Sequence, residues 1–221
     1  MNKRSFIQLL KKTSPSNESS IKGLNKWNYS QRVRFINLSF DYLDDMHAYS
    51  TNPKFYRFFE YDSFKTKKET REYLQKLMDR ETNGYFGGLV KYWFLQEIKT
   101  KKVIGTVGLC GIDTRRRSAE LTIGISPDYS QNGFFFEAQF QIIEFCFKTL
   151  DLHRLTSLTN CDNTGLIQFE KQCGYTQEGI FRDYYLMQNN IRKDAILTGI
   201  LSGEFKFDHC ILLAKLAQGS S

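Results

Sequence analysis

Glu120-Leu-Thr-Ile-Gly-Ile-Ser-Pro-Asp-Tyr-Ser130-Gln-Asn-Gly133-Phe-Phe135-Phe-Glu-Ala138 is the stretch whose reading decides the fold. An alternating strand runs through Pro127 into a polar turn that ends at Gly133, and from there directly into an amphipathic helix. A strand–turn–helix junction of this kind aims unpaired backbone N–H groups at whatever lies over the helix N-terminus, usually a phosphate. The turn is half spoiled for that task. Where a phosphate cradle takes small residues, this one carries Phe134, Phe135 and Phe136.

Upstream, strands over 89–97, 103–112 and 119–125 are separated by short turns at 99–101 and 113–117, which predicts an antiparallel meander. Val33, Phe35 and Leu38 mark a first strand within 30–40, and helical stretches follow over 41–49 and 53–59. Thr66 with Glu69 is a capping box that opens a helix to about Arg80, with Tyr73, Leu74, Leu77 and Met78 inward. Downstream, Phe136, Phe140, Ile143, Phe147 and Leu150 fall on one face of a helix. A strand over 155–159, a helix from the cap Asn163 to Gln172, and a hairpin of 179–187 with 192–200 complete the order. The pattern is mixed α/β and lacks the regular strand–helix alternation of a doubly wound nucleotide fold.

A chain of 221 residues, 41% hydrophobic and 25% charged, suits one globular domain with a full core. No apolar run approaches the roughly 20 residues that span a bilayer. The N-terminus lacks an apolar signal core, so the expected location is cytoplasmic. Cys110, Cys146, Cys161, Cys173 and Cys210 are scattered without a CxxC and read as reduced, mostly core thiols. His47, His153 and His209 are equally dispersed, so no metal site is expected.

The net charge of +7 is concentrated at the front. Residues 1–34 hold eight Lys/Arg against one acid, Glu18, which leaves 23 of each sign in the remainder. Residues 1–29 are expected to form a basic, flexible extension, with 30–203 as the domain and 204–221 as a tail. The charge of 1–34 would attract an anionic partner such as RNA or a membrane surface. Phe6, Ile7, Leu9 and Leu10 are spaced for one amphipathic turn able to dock on the body.

Eight pieces, two of them overlapping the stretch 120–138, occur in a fixed order: Val103-Ile-Gly-Thr-Val-Gly108, Ala119-Glu120-Leu, Pro127-Asp-Tyr, Leu152-His153-Arg154-Leu, Asn163, Gly174-Tyr175, Glu178-Gly179 and Arg182-Asp183-Tyr184-Tyr185. In these the chain resembles the GNAT acyl-CoA N-acyltransferase superfamily, RimJ/RimL-like branch, over about 30–203. The resemblance implies a mostly antiparallel sheet splayed between its fourth and fifth strands, with acetyl-CoA as co-substrate entering the splay. Pantetheine would then pair with Ile123 and Ile125, and the pyrophosphate would lie over Gln131, Asn132, Gly133, Phe134 and Phe135, with Asn163 beside it.

The loop is a degenerate version of the family pattern Arg/Gln-x-x-Gly-x-Gly/Ala. Ser130 replaces the Arg/Gln, Gly133 matches the first glycine, and Phe135 replaces the second small residue. Backbone N–H groups bind the anion, so the loop still serves if its phenylalanines turn into the core. Glu120 matches the glutamate with which histone-acetylating relatives take a proton from the amine. The tyrosine that many members place seven residues after the asparagine is Glu170 here, a helix position that reads as solvated. Tyr184 and Tyr185 are the substitute acids, with Tyr185 the choice. His153 reads as structural.

The implied reaction moves an acetyl group to a primary amine on an amino sugar, a polyamine or a protein N-terminus. Phe55, Tyr56, Phe58, Phe59, Tyr61, Tyr184 and Tyr185 would stack on this small-molecule or peptide acceptor, with Glu60 and Asp62 to hold a cation. The alternative is a GNAT-fold binding or regulatory module that has lost catalysis. Either would act as a monomer or homodimer.

Overall fold

The computed structural model describes residues 3–15, 31–85, 87–130, 132–188 and 190–206. The alternating stretches form β1 (Val33–Asn37), β2 (Leu89–Glu97), β3 (Val103–Asp113), β4 (Ser118–Ile125), β5 (Arg154–Asn160), β6 (Thr176–Leu186) and β7 (Arg192–Leu201). They make one seven-stranded sheet in the order β1-β2-β3-β4-β5-β7-β6. Every neighbouring pair is antiparallel except β4 with β5.

The parallel pair is short: Ser118 faces Arg154, Ala119 faces Leu155, and Glu120 faces Thr156. Past Glu120, β4 stays with β3 to Ile125 while β5 stays with β7 to Asn160. The sheet therefore splits, and the backbone edge of β4 beyond Glu120 has no strand beside it. Mixed α/β architecture and the splay are as the sequence implied.

Helices cover both faces: α1 (Lys3–Lys12), α2 (Leu43–Ser50), α3 (Lys67–Asn83), α4 (Phe134–Glu144) and α5 (Thr164–Cys173). Thr66 and Glu69 form the expected reciprocal capping box on α3. The expected long helix to Leu150 ends earlier, and a π-turn over Phe145–Thr149 closes with Leu150 N–H donating to the Phe145 carbonyl at 3.0 Å.

Alternation along β2 divides the core in two. Trp93 and Leu95 enter one cluster with Phe134, Ala138 and Ile142 of α4, while Tyr92 and Phe94 enter the other with Met46 of α2 and Leu74 of α3. β2 reads as a near-continuous apolar run because both of its faces are covered. β6 is an edge strand and mostly exposed.

Residues 3–12 dock on the body through the amphipathic turn that Phe6 to Leu10 allowed, so this part of the basic extension is not free. They form α1, whose Phe6 and Leu10 are buried in the α4-side cluster. The charged residues Lys3, Arg4, Lys11 and Lys12 lie on its exposed side. Covering two large apolar side chains outweighs the ordering of one short helix that has tertiary support. Ser14 Oγ then donates to the Phe35 carbonyl at 3.0 Å. At the other end, Phe205 packs on Phe140 and Phe147, so the start of the nominal tail also belongs to the domain.

Cys110, Cys146 and Cys161 are free thiols. Cys173 is disulfide-bonded, against the expectation of thiols throughout, because sequence spacing carries no record of which sulfurs meet in space. Cys210 and His209 lie outside the described residues.

Candidate active site

The split in the sheet opens a cleft of about 860 Å³. One wall is β4, with Ile123 and Ile125; the opposite wall is Ser157, Leu158 and Thr159 of β5 with Asn163. Asn163 caps α5 by accepting from Leu166 N–H at 3.4 Å, and its amide donates to Thr159 Oγ1 at 3.2 Å. Its position at the cleft thus follows from its capping role.

At the cleft's end, Ser126 N–H donates to the Ile104 carbonyl at 2.6 Å, and residues Pro127–Tyr129 make one short helical turn. Gly133 is the N-cap of α4 with φ 74°, a left-handed conformation that glycine adopts without strain. By helix geometry the first amides of α4, at 134–136, have no acceptor within the helix. Gln131 lies outside the described residues. Asn132 is exposed.

The three phenylalanines divide. Phe134 turns into the core, with the Arg32 guanidinium 4.5 Å from its ring centroid and Tyr129 edge-on at 5.5 Å. Phe135 and Phe136 line the cleft and lean on Phe169 of α5, with centroid distances of 6.2 and 4.9 Å. Arg32 is a residue that sequence reasoning missed. Its Nη1 donates to the Asn132 carbonyl at 2.8 Å and its Nε to buried Glu137 at 3.0 Å, so it ties the turn to α4. Those partners lie a hundred or more positions away, and no local signal announces them.

A second chamber of about 480 Å³ lies on the α2/α3 side and is walled by aromatic rings. Phe55 borders both cavities and rests on Gly124; a Cβ there would stand 2.8 Å from the ring tip, so a larger residue would push the ring away. Phe55, Tyr56, Phe59, Tyr61 and Tyr184 reach this chamber, as the aromatic reading supposed. Phe58 and Tyr185 reach the cleft. Glu60 accepts from Leu186 N–H at 3.0 Å, and Asp62 lines neither cavity.

Glu120 lines both cavities. It is the last β4 residue paired to β5, so its side chain stands at the fork. Its carboxyl stays open to the cleft, yet protein on most sides raises its pKa through desolvation. Tyr185 Oη donates to the Leu158 carbonyl at 3.1 Å beside the cleft, and burial raises its pKa also.

Glu170 corrects the solvated reading. It is fully buried, accepts from Thr198 Oγ1 at 2.8 Å, and lies beside Ser157 on the cleft wall. Among the described residues its Oε1 and the Tyr175 hydroxyl are buried without a hydrogen-bond partner within 3.5 Å, and burial raises both pKa values. Nothing in the local sequence of α5 signalled that β7 would cover this position. His153 is exposed and lines neither cavity.

Comparison with known proteins places this fold in a family. Residues 32–176 match the family described as "Acetyltransferase (GNAT) domain". This chain belongs to the GNAT acetyltransferase family. The N-acetyltransferase p20 of Bacillus licheniformis, itself uncharacterized, is 25% identical over 159 residues, 71% of this chain and 85% of its own length. Spermidine N(1)-acetyltransferase of Vibrio cholerae is 30% identical over 86 residues, 39% of this chain and half of its own length.

Among solved structures, spermidine N-acetyltransferase from Vibrio cholerae in complex with CoA and spermine superposes with a TM-score of 0.67 at 20% identity, covering 79% of this chain and 98% of that one. A GCN5-related N-acetyltransferase from Brucella melitensis gives 0.67 at 20% identity, covering 86% of this chain and 83% of that one. These likenesses establish the fold. In this GNAT domain no described helix is long and apolar enough to cross a membrane.

Proposed function

We propose that this GNAT protein is an N-acetyltransferase of the RimJ/RimL-like branch that moves an acetyl group from acetyl-CoA to a primary amine. The observation that carries this reading is Glu120 at the fork, facing the cleft and the aromatic chamber together. The residues present fit acetyl-CoA: a free β4 edge at Ile123 and Ile125, and α4 amides at 134–136 opened by Gly133. When bound, acetyl-CoA supplies the thioester as acyl donor.

An amine attacks only as the free base, so the chamber must deliver it beside a proton acceptor. Glu120 takes that proton, directly or through one water. The raised pKa of Glu120 brings its basicity closer to that of the working solution than an ordinary carboxylate's. Tyr185 Oη, held at the mouth by Leu158, is the hydroxyl placed to return a proton to the leaving thiolate. Asn163 shapes the wall by capping α5.

A second reading, a binding module without turnover, has one observation in its favour. Phe135 lines the cleft where the family pattern has a small residue. Isothermal titration with acetyl-CoA, followed by thiol-release assay with a panel of amines, separates the two. Binding with turnover supports the enzyme; binding without turnover, or no binding at millimolar ligand, removes it and supports the module.

A further inference from the structure

We infer that the aromatic chamber takes a primary monoamine carrying an anionic group, a carboxylate or phosphate, on a flat or apolar body. The amine would sit at Glu120 and the anion at Arg80. This assignment rests on the proposed acetyltransferase reading and narrows its acceptor.

The size and lining come first. A chamber of about 480 Å³ walled by rings such as Tyr49, Phe55, Tyr73 and Tyr92 suits the body of one small molecule. Its charged lining is sparse. Among the described residues around it, Glu120 is the one acid and Arg80 the one base.

The two charges bracket a single wall. Cys110 is the cross-strand partner of Glu120, and its Sγ is 3.5 Å from Tyr92 Oη. Arg80 is hydrogen-bonded to the same Tyr92 hydroxyl, its guanidinium carbon 4.0 Å from the Tyr85 ring centroid. Stacking on Tyr85 fixes the plane of the guanidinium. Among the described residues no Asp or Glu is ion-paired with it. The neighbouring acid Glu81 is held by Lys91 at 3.0 Å and by Tyr92 N–H at 2.7 Å.

Arginine keeps its charge at any working pH, and its fork matches a carboxylate or phosphate. A guanidinium stacked on Tyr85 and hydrogen-bonded to Tyr92, with no carboxylate partner among the described residues, therefore selects an anion. The same charge disfavours polycations. A polyamine brings two or more ammonium groups to a chamber with one carboxylate, and the second would meet Arg80. Glu60 and Asp62, the acids expected to hold a cation, both lie outside the chamber's lining.

The test uses the full chain saturated with CoA and calorimetric titration of matched probes. 4-(Aminomethyl)benzoate is compared with benzylamine, glucosamine 6-phosphate with glucosamine, and spermidine stands alone. The expected result is that the acidic member of at least one pair binds at least about tenfold tighter than its neutral partner and than spermidine. The pair that responds distinguishes carboxylate from phosphate. Arg80→Gln should erase the advantage and Arg80→Lys keep part of it, with acetyl-CoA affinity unchanged. If the glutamine variant does not fold, the wild-type pairs still decide. Equal or tighter binding of spermidine or the neutral members, an advantage that survives Arg80→Gln, or no acidic probe binding at millimolar concentration to protein that binds acetyl-CoA would each overturn the inference. Protein that binds an acidic probe but not acetyl-CoA would uphold the chamber assignment and remove the acetyltransferase reading.

Discussion

The cleft beside β4 is framed largely by backbone, whereas the chamber behind Phe55 is framed by side chains. In the cleft, the unpaired β4 edge, the left-handed Gly133 and the first amides of α4 present groups that every residue carries. Phenylalanines can therefore replace small residues, provided one turns into the core as Phe134 does and the others lean on Phe169. In the chamber each ring and each charge is a particular residue, so a change there alters what is recognised. A backbone-built site tolerates sequence drift, and a side-chain-built site records specificity.

Glu120 joins the two regions, and replacing it gives the largest effect expected. Glu120→Gln should lower turnover about 10²- to 10⁴-fold while acetyl-CoA affinity stays unchanged. Because burial raises its pKa and a base must be deprotonated, the acid limb of the wild-type kcat/KM profile should lie above the usual carboxylate range. Full activity of the variant across the pH range would show that the fork is a passage only.

Removing residues 1–15 tests whether the cleft side depends on α1. Losing the burial of Phe6 and Leu10, about 1.5–3 kcal/mol each, should lower the melting temperature by roughly 10 °C. An unchanged melting curve would mean that the helix adds no stability to the core under α4.

Gly133 tests the backbone frame directly. Gly133→Val places a β-branched residue at φ 74° and should weaken acetyl-CoA binding at least tenfold, about 1.4 kcal/mol, in calorimetric titration. Binding in the chamber should be unaffected. Equal loss at both cavities would erase the distinction between them.

Glu170→Gln should act least, and on stability. The folded pKa of Glu170 is raised above its unfolded value. Its contribution is therefore full below the unfolded pKa and lost as pH rises through the folded one. The neutral amide escapes that loss, so at alkaline pH the variant should melt a few degrees above wild type, converging with it in acid. A large fall in turnover would instead give Glu170 a part in the chemistry, through Ser157 on the cleft wall.

The elements were legible because their causes are local. The strand at 89–97 appears with the expected bounds, and Thr66 and Glu69 cap α3 as read. Gly133 was legible for the same reason, since a glycine between strand and helix answers to its own φ. Glu170 was misread because its burial is imposed by Thr198 on β7. At α1 the spacing of Phe6 and Leu10 offered a docking turn while four basic residues in ten argued for a free arm, and only packing decided between them.

By itself, then, the sequence determined the mixed α/β order, the strand–turn–helix at 120–138 and the family pattern. Periodicity, capping and turn chemistry act within a few residues and are written in order along the chain. Only the tertiary structure decided that Arg32 ties the turn to α4, that Glu170 is buried, and that Arg80 and Glu120 line one aromatic chamber. Each of these joins residues separated by tens of positions, and such pairs meet only when the sheet register brings them together.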